Sequence, residues 1–375
     1  MAKKQLTNME VKKNNRNQIF RYIRKNDMTS NPDIAYDLKM SLPTVTQNTK
    51  ELIEKGLVEE VGELQSTGGR RAKALSAAAN HKLAVGLDIT RNHISIVLAD
   101  LKGGLMAYDR IFLPFEQSGS YYHEVNAILE AFIEKSNAKR ERILGIGISI
   151  PGIADLEKGE ISHSHILNMD SVPFTLISGF FSFPCYFLND ANAGAYAEGI
   201  HPEAPDRFFY LSLSGTVGGA IFDHGDLVQG KGYRCGEVGH MTIVPDGALC
   251  YCGMKGCLDV YCSEKCLTKR ADGSLERFFQ ELEQGKTENA EAWEAYTSYL
   301  AVALNNIYMV LDCDIVIGGY VGGFIENHMP DLRRKVGQRN IFVKEGTFVR
   351  PCVYKFEAAA LGAALRVIED FVVQI

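Results

Sequence analysis

The chain has 375 residues, 46% hydrophobic and 23% charged, enough for two or three packed domains and incompatible with global disorder. No apolar run approaches the roughly 20 residues needed to cross a bilayer, and no apolar segment follows the basic N-terminal stretch, so the expectation is a cytoplasmic protein without a membrane partner. The net charge of −6 hides an asymmetry: residues 1–75 carry 14 Lys and Arg against 9 Asp and Glu, the remainder 26 against 37, as if a basic head were built to meet a polyanion.

In the head, RNQIFRYIRKN at 16–26 places Ile19, Phe20 and Ile23 on one helical face. Ser30 before Asn31-Pro32-Asp33 is an N-cap with proline in the first turn, opening a short helix through Leu38. Ser41 caps a third helix that stops at Gly56, with Val45, Leu52 and Ile53 inward. That arrangement leaves Thr44, Thr46, Gln47, Asn48 and Lys50 outward, side chains able to hydrogen-bond base edges or phosphates. Three short helices in this order are a helix-turn-helix layout, and LVEEVGELQSTGGRRAKAL reads as a wing. Its glycine turn carries Arg70 and Arg71, suited to the DNA backbone or minor groove. The competing reading is a three-helix protein-interaction module. The polar face of the third helix and the arginine-tipped turn favour operator DNA, with Ser41, Thr44, Thr46, Gln47, Asn48, Lys50, Arg70 and Arg71 as the contact set.

Residues 76–82 are small and polar and read as a linker after a head of 1–75. From 83 onward apolar strands alternate with helices: LAVGLDIT, HISIVLADL, a helix near 120–137, ILGIGISIPG, then FFYLSLSGTVGGAIFDHG. This is an α/β body with buried sheets. Two glycine-rich strand-turn-strand units, near 86 and 211, suggest a duplicated two-lobe plan.

The run from His240 to Cys257 reads H-x9-C-x-C-x4-C, supplying His240, Cys250, Cys252 and Cys257. Three thiolates and an imidazole form a closed tetrahedral set for Zn²⁺, so the metal would be structural. Free or redox-active thiols are the alternative. Cys262 and Cys266, at i and i+4, read as substitute ligands or plain packing residues.

Those residues also carry a resemblance. LSGTVGGAIFDHGDLVQGKGYRCGEVGH followed by CYCGMKGCLD resembles the signature of the ROK family of repressors, open reading frames and kinases, over roughly residues 83–375. The resemblance implies a two-lobe actin-like, sugar-kinase (ribonuclease H-like) fold. Its first lobe would be about 83–190 plus the C-terminal helix, and its second about 191–355. Among family members, the repressors resemble this chain further in bearing an N-terminal winged helix. Position by position, the resemblance makes Asn189 and Asp190 of FLNDANAG a sugar-binding Asn and a catalytic base, here a vestigial one. It makes Glu237 and His240 of GEVGH sugar contacts, with Asn168 a weaker match. Where the family has Glu after CL, this chain has Asp259, one methylene shorter.

The first phosphate hairpin of family kinases reads Asp-Ile-Gly-Gly-Thr-Lys; here it is Asp88-Ile89-Thr90-Arg91-Asn92-His93, without glycine. Phosphoryl transfer needs backbone N–H groups close to the triphosphate, which glycine turns permit. Gly215, Gly218 and Gly219 of the second loop and Gly318 and Gly319 later are retained. The expectation is therefore a regulator rather than an enzyme: a repressor that answers a sugar or sugar-phosphate effector in the interlobe cleft and binds a palindromic operator as a homodimer or higher homo-oligomer. The alternative is an ATP-dependent sugar kinase with or without DNA binding.

Overall fold

The computed structural model describes residues 8–64 and 72–375. In the head, α1 spans Asn8–Lys25, α2 Asn31–Asp37 and α3 Leu42–Glu54. Ser30 and Ser41 are the N-caps, their hydroxyls accepting from the amides of Asp33 (3.4 Å) and Thr44 (3.3 Å). Ile19, Phe20, Ile23, Ile34, Val45 and Leu52 form the buried core, as the periodicity requires. The wing strands β1 (Val58–Glu63) and β2 (Lys73–Ala77) pair antiparallel, with Val58 opposite Ala77. Arg70 and Arg71, with the rest of the expected wing tip, lie outside the described residues. One outward residue is corrected: Asn48 is buried, its amide donating 2.8 Å to the Thr44 carbonyl one helical turn back. Side-chain bonding to the i−4 carbonyl folds a short polar residue against its own helix.

A short turn over Ala79–His81 joins the head to the first lobe. There β3 (Leu83–Ile89), β4 (His93–Asp100) and β5 (Leu105–Phe112) form an antiparallel meander. After α4 (Gly119–Lys135), β6 (Ile143–Ile150) pairs parallel to β3. A small sheet of β7 (Ile153–Asp155), β8 (Glu160–Ser164) and β9 (Met169–Pro173) follows, then α5 (Phe174–Ser178). Strand β10 (Cys185–Asn189) lies parallel to β6, and α6 (Asp190–Ile200) leads to the second lobe.

The second lobe repeats the plan. Its meander is β11 (Arg207–Leu213), β12 (Val217–Asp223) and β13 (Asp226–Leu227). Helices α7 (Asp259–Cys262), α8 (Lys265–Thr268), α9 (Leu275–Glu283) and α10 (Thr287–Leu311) precede β14 (Asp314–Gly318). Helices α11 (Gly319–Gly322) and α12 (Met329–Gly337) and strand β15 (Val349–Pro351) complete it. The two sheet orders, β5-β4-β3-β6-β10 and β13-β12-β11-β14-β15, are the same arrangement of a meander followed by two parallel strands. Every residue of β3 is buried, which explains its apolar run up to Asp88.

The chain ends in α13 (Ala358–Gln374), which returns to the first lobe and packs on α6, β3 and β6. The approach is backbone to backbone: a Cβ on Gly86 would sit 1.8 Å from the Ala360 carbonyl oxygen, and one on Gly147 2.0 Å from that of Ala363. At its far end α13 meets the head. Asn17 donates 3.1 Å to the Val373 carbonyl, Arg16 bonds the Ile375 carbonyl, and Arg21 and Arg24 of α1 both face Glu369. One helix thus runs from the space between the lobes to the winged head.

Candidate ligand cleft and metal centre

Strand ends of both lobes converge on a cleft of about 360 Å³, within the usual size of small-molecule sites. Asp88, at the end of β3, is 5% exposed and accepts 2.8 Å from the Ser149 hydroxyl at the end of β6. Burial pushes its carboxyl up to about 6, while Ser149 and the charge of Arg110 pull the other way. Asp190, first residue of α6, faces the same space. Burial, then the neighbouring charge of Asp88, pushes it up to about 7. The Asp88 charge therefore adds to burial in holding the proton on Asp190.

Asn189 is the N-cap of α6: its carbonyl oxygen accepts 3.1 Å from the Asn192 amide, and its NH₂ donates to the Gly152 carbonyl and to Asp190, each at 3.0 Å. It therefore orients Asp190. Glu237 lies close enough for its charge to act on Asp190 and is itself under the influence of His240, Arg234 and His163. Asp259, 5% exposed, spends one carboxylate oxygen on the Val217 amide at 2.7 Å, pinning the start of β12. Asn168 stands exposed at φ +53° in the turn before β9, a left-handed conformation that Asn tolerates. Sequence pattern missed the wall beside His240: the Tyr251 ring stacks on His165 (centroids 3.9 Å apart, 6° between planes) and brings its hydroxyl 3.3 Å from His240 Nε2. Tyr251 lies between two of the cysteines, which is the signal that could have found it.

The hairpin Thr90–His93 closes on itself. The Thr90 hydroxyl donates 2.9 Å to the His93 carbonyl and accepts 3.1 Å from the His93 amide. Across the cleft the Arg110 guanidinium lies over the rings of Tyr320 (4.9 Å) and Phe356 (5.2 Å), joining first-lobe β5 to second-lobe aromatics. Positions 110, 320 and 356 are too far apart in sequence for any local pattern to connect them.

The metal set assembles. Ligand atoms of His240, Cys250, Cys252 and Cys257 lie within 4.8 Å of one another. Cys252 and Cys257 sulfurs are 3.7 Å apart, and Cys250 Sγ is 3.9 Å from His240 Nδ1. Tetrahedral bonds of about 2.3 Å to sulfur and about 2.0 Å to nitrogen require separations of about 3.8 and about 3.5 Å, so the four residues fit such an ion. Gly256 holds the loop shut at φ +78°, where a Cβ would meet the Val244 carbonyl oxygen at 1.7 Å. Cys262 and Cys266 sit on separate short helices, α7 and α8, outside this group.

On α3, Thr46, Gln47 and Lys50 are exposed, Thr44 is half-buried, and Ser41 shares a 2.8 Å hydrogen bond with the Thr44 hydroxyl at the helix start. A winged helix-turn-helix head joined to two lobes of one topology defines a DNA-binding protein built on the sugar-kinase fold. The ROK family profile matches residues 84–369, and a winged helix-turn-helix DNA-binding profile matches 13–59. The chain belongs to the ROK family. It is 28% identical over 375 residues to the xylose repressor of Bacillus spizizenii, covering 96% of each chain. The crystal structure of a ROK family transcriptional regulator, homologous to the E. coli MLC protein, matches with TM-score 0.78 at 21% identity, over 97% of this chain and 98% of the other. A ROK family glucokinase from Streptomyces griseus, complexed with glucose and AMPPNP, matches with TM-score 0.65 at 21% identity, over 76% and 98%.

Proposed function

We propose that this protein is a sugar-responsive DNA-binding repressor that does not phosphorylate its sugar. The observation that carries the reading is α13: Ala358 and Ala359 at its start line the interlobe cleft, and Glu369 near its end holds two arginines of the winged head. A ligand that changes how the lobes close moves the helix that carries the head. It shifts operator binding only by its differential affinity for the two arrangements.

The sugar site uses Asn168, Asn189, Asp190, Glu237, His240 and Asp259. Ionised Asp190 accepts a hydrogen bond from a sugar hydroxyl, and Asn189 fixes its direction. Zn²⁺ on His240, Cys250, Cys252 and Cys257 pins the loop that presents Glu237. His240 would bind it through Nδ1, leaving Nε2, beside the Tyr251 hydroxyl, to face the sugar. The exposed face of α3, with Ser41, Thr44, Thr46, Gln47 and Lys50, enters the major groove, and Arg70 and Arg71 of the wing touch backbone or minor groove. Two copies pair through the body on a palindromic operator. Exposed Met309 and Val310 on α10 and Ile341 and Phe342 after α12, drawn together by the Asn340–Asn305 hydrogen bond, supply an apolar surface for that contact. Among the described residues no helix is long and apolar enough to cross a membrane, in keeping with a cytoplasmic regulator.

Kinase activity is the second reading, favoured by the glycines of the second loop. Against it stand the glycine-free hairpin, stitched shut by Thr90, and the Arg110 bridge across the cleft. A coupled assay over hexoses and amino sugars is expected to show no ATP-dependent turnover. Turnover in the ordinary enzyme range, about 1 to 1000 per second, would overturn the reading.

A further inference from the structure

A cavity larger than the sugar cleft lies at the joint between head and body: a groove of about 790 Å³ walled by the end of α1, the β4–β5 turn, the end of α6 and α13. Arg24 of α1 lines it with a side chain only 8% exposed. Among the described residues its ion-pair partner is Glu369 at 3.6 Å, longer than a hydrogen bond, so Nη1 of Arg24 is buried with no hydrogen-bond partner. Glu369 meanwhile spends Oε1 on the Nε and Nη2 of Arg21. One carboxylate thus answers two guanidiniums, and a buried cation with idle donors remains, a costly arrangement unless an anion completes it.

The body supplies a cation and a further donor to the same groove. The Lys102 ammonium is tied to Asp27, whose side chain is 98% exposed, a pair weak enough to exchange. His201, at the end of α6, accepts from the Glu203 amide through Nδ1 at 3.3 Å, which leaves Nε2 as its donor. Asp100 Oδ1 accepts from the amides of Lys102 and Gly104 at 2.8 and 2.9 Å, which holds that carboxylate to its own turn. The other carboxylates in the groove, Asp206 and Asp226, belong to the second lobe.

We infer that this joint is a second ligand site, for a phosphate group, in which Arg24 of the head and Lys102 and His201 of the body close on one anion. Guanidinium forks match phosphate oxygens in pairs, and such charge-assisted bonds are the strong ones. A ligand held from both sides staples the head to the body, so it acts on DNA binding without entering the cleft.

The test is calorimetric titration of the full chain with inorganic phosphate and with glucose 6-phosphate. Glucose is the uncharged control, and chloride holds the ionic strength. Saturable binding of either phosphate is expected, reduced about tenfold or more in Arg24→Gln and partly restored in Arg24→Lys. Binding of inorganic phosphate should be unchanged in the cleft variant Asp190→Asn, and the two probes are compared in that variant so that the cleft does not contribute. Equal affinity for both probes assigns the site to the phosphate group alone, and tighter binding of the ester assigns it to an organic phosphate. Unchanged binding in Arg24→Gln that still unfolds cooperatively, loss only in Asp190→Asn, or no binding of either probe overturns the proposal. Glucose binding lost in Asp190→Asn while phosphate binding persists separates this site from the sugar reading.

Discussion

Asp190 should cost the protein stability at neutral pH, and Asp190→Asn should recover it. Its carboxyl ionises at 3.8 when free and at about 7 in the fold. The folded value is raised, so the native state holds the proton where the unfolded chain has lost it. Stability from this group therefore falls as pH rises from about 4 to about 7. At about 1.4 kcal/mol per pKa unit, the ionised form costs at most about 4 kcal/mol above that window, and water reaching the open cleft lowers this. Asparagine carries no such penalty. Its advantage should grow by about 1.4 kcal/mol between about pH 6 and about pH 8, the interval in which wild type loses its folded-state proton. Urea unfolding of both proteins at the two pH values measures it. An equal gain at both, or a gain larger at the lower pH, would refute the assignment of Asp190 as a half-buried, proton-retaining group. The same substitution should weaken sugar binding, since a residue shaped for a ligand pays in stability.

Cys257→Ser, or treatment with a chelator, should abolish sugar binding and lower the unfolding temperature, with about one zinc per chain lost by metal analysis; wild type prepared without chelator and lacking zinc contradicts the centre. Gln47→Ala with Lys50→Ala should weaken operator binding about tenfold or more in anisotropy titrations and leave sugar affinity within error. Glu369→Gln leaves Arg21 and Arg24 without their carboxylate and should loosen the head. Sugar and DNA should each still bind, while the effect of sugar on DNA affinity shrinks; undiminished coupling would remove α13 from the mechanism.

What the sequence revealed follows how local each signal is. Ser30 and Ser41 cap helices within three residues of themselves, so the head could be read from its caps and apolar spacing. The metal set spans 18 positions of one loop, and its four ligands meet as the spacing implies. Asn48 was misplaced because periodicity assigns a direction to a side chain but not a hydrogen bond to its own backbone. Asn189 shows two uses of one residue: the cap is local and visible in the structure, the sugar contact is a proposal. Arg110 over Tyr320 and Phe356, and Arg24 facing Glu369, join residues hundreds of positions apart. No period or motif encodes such meetings; tertiary packing creates them. That α13 belongs with the first lobe was legible from the resemblance, while its contacts with the head, through Asn17, Arg16 and Glu369, were not, for the same reason.

The central claim is that one chain binds a sugar and reports it to DNA. The direct measurement is DNA affinity of the full chain, on a site selected from random duplexes, with and without each member of a pentose, hexose and amino-sugar panel. The account predicts specific binding to a palindromic site and, for one sugar class, weakening by about tenfold or more, a coupling of about 1.4 kcal/mol. Specific DNA binding that no sugar alters, with that sugar bound in the cleft at the same time, would contradict it.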